Sequence, residues 1–588
     1  MSRLGDWLDE RAGHRALARA VLDEPVPGGA RWAYVWGSAL TLSLVVQAVT
    51  GWLLMSAYAP SVTTAWASTA HISHGISGGW LVRGLHHFGA QAMIVLLAAH
   101  LVQTALYGAY RRPRELNWYF GLALLGVTLG FALTGYLLPW DQKGYWATRV
   151  ATSIVGTIPL VGGYLQRILV GGPEYGHLTL THFHALHVGV LPAITAVLVA
   201  GHIALFRRHG VTAPLSADPK KVDRFYPGQV AKDLAVGLGV LLVLFVLAAR
   251  DHGAPLDAPA DPGSDYPARP EWYFLALFEA LKWFKGALEP VGAVGIPLLV
   301  LGYLVALPLL DTGPDRSIRA RARYLAPLAI FGLLAGLLTA KSRYADATDE
   351  AYQKARAVAD ARAARAVALA AQGVPPEGPL AMLRDDPEDR GRALFTQHCV
   401  ACHRLGDLAP AAGKATAPDL TGFGSKTWIY GLLDSPDSDR WFGLTPFKGT
   451  MPSVVHPPSD PEAARSWRPM SASDQEATAI FLDAQARGES GKGLPGETVV
   501  RRRCTTCHRL DGATDDDSSL APELRGWASP AWIEAQIEDP GSGKTYAKGS
   551  TARDLEGHMP AFADKITPAD RRVLAAWVAR HGRATEVK

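Results

Sequence analysis

The chain has 588 residues and a mass of 63.0 kDa, with 48% hydrophobic residues, 19% charged residues and a net charge of +4. That length exceeds a single core, so two to four structural units are expected, and the low charge fraction and 17 Trp exclude a disordered or collagen-like chain. All 4 cysteines stand in two pairs, Cys399/Cys402 and Cys504/Cys507, which leaves none for a structural bridge; the thinly spread positive charge offers no face to nucleic acid.

Residues 1–31 mix Asp, Glu and Arg and lack the apolar stretch of a secretory signal, so they read as an amphipathic segment facing the inside. Charge then vanishes over Tyr34–Pro60, Gly84–Tyr110, Leu116–Trp140, Tyr175–Phe206, Leu234–Ala249, Pro290–Leu310 and Tyr324–Ala340. A spanning helix needs about 17 to 25 apolar residues, so seven transmembrane helices are expected. Lys232, Arg323 and Lys341 can snorkel to extend the two shortest. With the N-terminus inside, the inside segments 1–31, 109–116, 207–227 and 311–323 carry 17 Lys and Arg, against 6 in the outside loops 58–78, 140–182 and 251–290. This positive-inside bias puts the N-terminus inside and everything after Lys341 outside, in a bacterial periplasm or its equivalent, so a bacterial inner-membrane location is expected.

Two spans carry paired histidines. His86 and His100 are 14 residues apart, and His187 and His202 are 15 apart. On helices these steps advance ~21 and ~22 Å and rotate the side chains by ~40° and ~60°. Two such helices clamp two stacked haems, His86/His187 at the outer level and His100/His202 at the inner. Intramembrane imidazoles are functional candidates by default. Gly37 and Gly51 on the first span and Gly121 and Gly135 on the third repeat the spacing of 14, and glycine admits a flat macrocycle close to the backbone. Arg83 is a candidate partner for a propionate at the outer level. His87, about 100° round the helix from His86, is assigned to packing.

Beyond the spans, 341–385 reads as a helical linker that becomes Pro/Gly-rich. A tandem repeat follows at an offset of about 104 residues. Cys399-Val-Ala-Cys402-His403 answers Cys504-Thr-Thr-Cys507-His508, Ala417-Pro418 answers Ala521-Pro522, Trp428 answers Trp532, and Met451-Pro452 answers Met559-Pro560. Cys-x-x-Cys-His supplies two thioether attachment points and an axial imidazole, the signature of c-type haem. The Met-Pro of each copy supplies the sixth ligand, which raises the iron's potential. Met451 is preferred to Met470, which heads the last helix of its copy. The Pro418 and Pro522 carbonyls are placed to hold the imidazoles. Two small helical c-type domains, 386–488 and 489–588, are expected.

Arg83–His86, Pro113-Arg114-Glu115-Leu116 and Gly135-Tyr136-Leu137-Leu138-Pro139-Trp140-Asp141-Gln142 resemble the four-helix cytochrome b of the cytochrome bc/b6f superfamily over 32–210. Residues 211–340, with Pro270-Glu271-Trp272-Tyr273-Phe274, resemble the separate three-helix subunit of the b6f branch, here fused on. The resemblance implies an all-α protein: a seven-span bundle with two non-covalent b haems, then two covalent c haems. It implies quinol oxidation at the outer site, where Glu271 takes a proton, Tyr273 positions the ring, and Pro270, Trp272, Gly144 and Tyr145 line the pocket. Arg207 is the candidate cation at an inner quinone site. It further implies a bifurcated Q-cycle, a homodimer, a separate Rieske iron–sulfur protein, exchange with the quinone pool, and a periplasmic cytochrome or terminal oxidase as acceptor. A plain electron conduit would need neither Pro270–Tyr273 nor three further spans. The b6f branch attaches an extra haem through a cysteine early in the first span; Val35 and Trp36 stand there, so that haem is expected to be absent.

Overall fold

The computed structural model describes residues 3–218, 220–512, 521–546 and 559–584. The ends of the expected 1–31 and 489–588 segments, with 513–520 and 547–558, lie outside the described residues. The chain forms two units, Met1–Met382 and Leu383–Lys588.

In the first unit, α1 (Arg3–Ala12) and α2 (His14–Leu22) precede α3 (Val35–Met55). They are followed by α4 (Ala65–His74), α5 (Gly79–Tyr107), α6 (Glu115–Leu137), α7 (Gln142–Gly156), α8 (Gly162–Val170), α9 (His177–Ala185) and α10 (Leu191–His209). Next come α11 (Val230–Arg250), α12 (Leu275–Leu281), α13 (Ile296–Leu310), α14 (Ala322–Thr348) and α15 (Glu350–Ala370). Seven of these runs are long and apolar enough to cross a membrane: α3, α5, α6, α9 continuing into α10, α11, α13 and α14. They coincide with the charge-free windows of the sequence. A short antiparallel ribbon, β1 (Pro25–Pro27) with β2 (Val222–Arg224), is a local addition to the expected all-α fold.

The spans stop where chemistry ends them. Gly108 closes α5 in the left-handed region (φ 63°) and Arg111, Arg112 and Pro113 follow at once. Asp141 caps α7 by accepting from the Gly144 N–H at 2.8 Å. Between α9 and α10, Leu186–Val190 forms a π-helical turn just ahead of Pro192, whose missing N–H cannot continue the α ladder. The wide turn absorbs one extra residue. The 15-residue step from His187 to His202 therefore behaves like the 14-residue step on α5, and the ~60° expected from an ideal helix does not apply.

α3 packs along α5 and α6 along α10, while α11 lies against both α3 and α5, and α13 against α6. The four-span and three-span parts form one body, pinned by Arg31 N–H to Gln229 Oε1 (2.9 Å) and Ser38 Oγ to Asp233 Oδ2 (2.9 Å). At one end of the bundle a buried Arg321–Asp311 pair (2.7 Å) is completed by the Tyr110 hydroxyl, which donates to Asp311 at 2.5 Å.

α16 (Pro379–Arg384) leads into the second unit, which holds α17 (Pro387–His398), α18 (Lys426–Asp434), α19 (Pro461–Ser466), α20 (Ala472–Ala486), α21 (Pro495–Arg503), α22 (Pro530–Glu538) and α23 (Pro568–Ala584). The two expected c-type domains are not separate bodies: one apolar core runs from Leu394 and Phe395 through Trp428 and Phe481 to Trp527, Leu574 and Trp577.

Candidate functional site

His86 on α5 and His187 in the π turn face each other with ring centroids 6.4 Å apart. Two metal–nitrogen bonds of about 2 Å, plus the distance from each ring centre to its nitrogen, fill that span. Both tautomers are set. The Thr50 and Thr134 hydroxyls lie 2.9 and 3.0 Å from Nδ1 of His86 and His187. Each also donates to the carbonyl four residues back, Val46 (2.6 Å) and Gly130 (2.8 Å). With its proton committed, each hydroxyl accepts from Nδ1–H, which leaves Nε2 free to bind a metal.

The other level uses different partners for the same end. His202 Nδ1 lies 3.1 Å from the Asn117 carbonyl, and His100 Nδ1 lies 3.2 Å from Gln103 Oε1, whose amide donates to the Ala33 carbonyl at 2.8 Å. The glycines fit. A Cβ at Gly51 would lie 3.1 Å from His86 Cε1, one at Gly135 would lie 2.5 Å from His187 Cε1, and one at Gly121 would lie 3.5 Å from His202 Cε1. A Cβ at Gly37 would meet nothing within 4 Å.

The 270–274 segment sits at the His86 level. Trp272 Nε1 donates to Gln91 Oε1 at 3.1 Å, and Gln91 Nε2 is 3.0 Å from His87 Nε2. Lys143 donates to Glu271 Oε1 at 2.7 Å. Burial raises the Glu271 carboxyl, but Lys143, joined by His87 and Tyr136, more than offsets it and holds the group below its ordinary 4.5. Burial, then Glu271, keeps the Tyr273 phenol well above its ordinary range, so it remains a donor. Across the loop, burial and then Asp257 push Asp141 up to about 6. Gly144 backs directly onto the Tyr136 carbonyl, and Tyr145 is buried between Trp140, Trp146 and Tyr175.

In the second unit, His403 Nδ1 is 2.9 Å from the Pro418 carbonyl and His508 Nδ1 is 3.0 Å from the Pro522 carbonyl. Burial lowers both imidazoles, which keeps them neutral and ready to ligate. No disulfide joins the four cysteines. Burial pushes Cys399 up to about 12 and Cys504 up to about 11, the opposite of the lowered thiol that a redox Cys-x-x-Cys requires. Met451 and Met559 pack against the shared core, and Met470 is buried at the head of α20.

The family model described as Cytochrome b(N-terminal)/b6/petB matches residues 91–259, and Cytochrome b(C-terminal)/b6/petD matches 259–352. Cytochrome c matches 388–481, and Cytochrome C oxidase, cbb3-type, subunit III matches 492–578. Cytochrome b6 of Euglena gracilis is 37% identical over 215 residues, 37% of this chain and 100% of that protein. The cytochrome bc complex cytochrome b subunit of Chlorobaculum thiosulfatiphilum is 37% identical over 315 residues, 52% of this chain and 70% of that one. The chain belongs to the cytochrome b family. Its structure also matches a hyperthermophilic respiratory Complex III, with a TM-score of 0.51 and 29% identity, over 60% of this chain and 93% of that one.

As a cytochrome b it is a subunit of a bc/b6f-type quinol oxidoreductase complex, extended by c-type sequence. Two of the candidate cations have partners within the protein. Arg83 donates to Ser73 Oγ (3.1 Å) and to the Ala254 (2.7 Å) and Pro255 (2.6 Å) carbonyls, which straps the 251–260 loop to α5. Arg207 pairs with Glu24 (3.0 Å) and the Ala20 carbonyl (2.7 Å), which ties α10 to the N-terminal helices, and it lines a cavity together with Arg19, Asp23 and Glu24. Thr50, Thr134, Gln103 and Lys143 escaped the sequence reading. The first two were signalled by their place immediately before Gly51 and Gly135; nothing local marked Lys143, whose partner lies 128 residues away.

Proposed function

We propose that the chain is the cytochrome b/c subunit of a bifurcating quinol–cytochrome c reductase. His86/His187 and His100/His202 hold two b haems, and Cys399/Cys402/His403 and Cys504/Cys507/His508, with Met451 and Met559, hold two c haems. Bound there, the haems supply one-electron carriage, which divides the two electrons of a quinol between a path across the membrane and a path toward the c side. Quinol is oxidised in the pocket formed by Pro270, Trp272 and Tyr273 on one side and Gly144 and Tyr145 on the other. The Tyr273 phenol orients the ring by hydrogen bonding, and Glu271 Oε2, the carboxylate oxygen that Lys143 does not hold, accepts a quinol hydroxyl proton. Lys143 keeps Glu271 ionised before the proton arrives.

One observation carries this reading: the Glu271 loop is tied, through Trp272, Gln91 and His87, to the helix that bears the His86 ligand. The partners are a separate Rieske iron–sulfur protein, the quinone pool and a periplasmic cytochrome or terminal oxidase, within a homodimeric complex of the bacterial inner membrane whose c-type unit faces the periplasm. A pyridine haemochrome assay on the purified full chain tests the haem count. The expected ratio of b to c is two to two, and a third c-type equivalent would contradict the assignment of Val35 and Trp36 as the residues replacing an attachment cysteine.

A further inference from the structure

The two copies of the tail repeat do not close on themselves. α17, which opens the first copy, packs on α23, which ends the second; α21, which opens the second copy, packs on α20, which ends the first. The middle helices stay with the last helix of their own copy, α18 on α20 and α22 on α23. The α17–α23 seam is dense. Gly391 backs onto the Trp577 side chain, Phe395 and Trp577 have ring centroids 5.6 Å apart, Arg390 and Asp570 are paired at 2.9 Å, and Trp577 Nε1 donates to Glu388 at 3.1 Å. The second seam repeats it, with Gly496 backed onto Ala477, Arg502 paired to Asp474 at 3.1 Å, and the Gly526 N–H donating to buried Gln485 at 2.9 Å.

The crossover lies at equivalent residues of the two copies. Phe423 and Trp527, 104 apart, have ring centroids 5.2 Å from each other. Gly424 (φ 79°) and Ala528 (φ 60°) follow them, both in the left-handed region, and a Cβ on Gly424 would lie 3.4 Å from that of Ala528. Beyond Phe423 and Trp527 the last helix of each copy packs on the first helix of the other, while the segments just after α18 and α22 keep bonds to their own copy (Asp419 N–H to the Arg440 carbonyl, 2.9 Å; Glu523 N–H to the Thr545 carbonyl, 2.7 Å).

The methionine segments follow their helices across. The segment after Met559 is bonded to α22 (Phe562 N–H to the Ile537 carbonyl, 3.0 Å) and leads into α23. Its Phe562 ring sits 6.0 Å from that of His398, the residue immediately before Cys399. The segment between Met451 and α20 is bonded to α18 (Val454 N–H to the Leu433 carbonyl, 3.1 Å). Its Arg468 and Pro469 carbonyls accept from Arg503, the residue immediately before Cys504, at 3.1 and 3.2 Å. From this geometry we infer that the axial ligands are exchanged between copies: the haem on Cys399/Cys402/His403 takes Met559, and the haem on Cys504/Cys507/His508 takes Met451. This ligand set rests on the haem c reading above and specifies it.

The test uses the full-length membrane protein carrying one c haem at a time. With Cys504→Ser/Cys507→Ser, the c haem left is that of the first copy. Exchange predicts that adding Met559→Ala abolishes the sulfur–iron charge-transfer absorption of the ferric c haem and lowers its midpoint potential, since a methionine ligand raises it. Adding Met451→Ala leaves both unchanged. With Cys399→Ser/Cys402→Ser, the two methionine changes trade effects. If either background does not accumulate, His508→Ala and His403→Ala, with both haems attached, read the same cross. Loss of the signature by the methionine of the same copy would overturn the exchange. Failure of the unsubstituted chain to carry covalent haem would overturn the haem c reading beneath it, a result that mass measurement of the attached group separates from the first.

Discussion

The membrane unit and the tail build their metal sites by opposite logic. In the bundle each candidate site joins histidines from helices separated by about a hundred residues of sequence, yet the pairing is simple, because a bilayer-spanning helix has its direction and depth fixed by length and charge. In the tail each attachment site is local, with cysteines, imidazole and proline carbonyl inside about 20 residues. There, no bilayer dictates which helix meets which, and the copies trade partners at Phe423 and Trp527. A sequence spacing therefore gives three-dimensional geometry only where something outside the chain sets the frame.

The contrast is broken most severely by ligand loss. His187→Ala should remove one b haem outright, because no covalent bond retains it. The corresponding His403→Ala should leave the c haem attached through Cys399 and Cys402 and change only its spectrum. A haemochrome assay reads both, and equal retention of haem in the two variants would contradict the assignment.

Glu271→Gln keeps size and hydrogen bonding but removes the charge. Loss of a general base costs on the order of a hundredfold in rate. Quinol-dependent reduction of the c side should slow at least several-fold while all haems assemble, and unchanged turnover across the pH range would make Glu271 a structural loop residue.

Lys143→Met gives a smaller, signed effect. Lys143 holds Glu271 below its ordinary 4.5, so the ion pair's contribution to stability is complete above that value and is lost as pH falls through the lowered one. Without Lys143 the largest lowering influence on the carboxyl is gone, and burial still raises it. The acid limb of the pH–rate profile should then move to higher pH; a limb that stays in place would show that Glu271 does not control it.

Smallest is Thr134→Val, which removes the acceptor from His187 Nδ1. Such partners are worth about 10- to 100-fold in metal affinity. Redox titration should show a shift confined to one b haem, with the His100/His202 level untouched because Asn117 and Gln103 serve it.

Spans, histidine levels, glycine steps and the proline carbonyls at His403 and His508 were legible from sequence, since each depends on local spacing or on the bilayer. The π turn at Leu186–Val190 was not, although Pro192 was its cause; the ideal-helix angle for His187 and His202 was therefore misleading. The partners that Arg83 and Arg207 hold were not legible, because a lone cation near a candidate site carries no signal of them. Their actual partners, the Ala254 and Pro255 carbonyls and Glu24, lie more than 170 residues away in sequence. The exchanged packing of the tail was invisible for a further reason: a repeat specifies which surfaces match but not whether the match is made within a copy or between copies.

The central claim is that quinol electrons are divided at the Glu271 site. The most direct measurement is a pulse of oxidant given to the c side of the intact complex, with quinol present and the inner quinone site blocked. Division requires that withdrawal of one electron toward the c side send the other to the b haems, so the b haems should become reduced as oxidant is added. Oxidation of the b haems by the same pulse would show an undivided conduit and contradict the account.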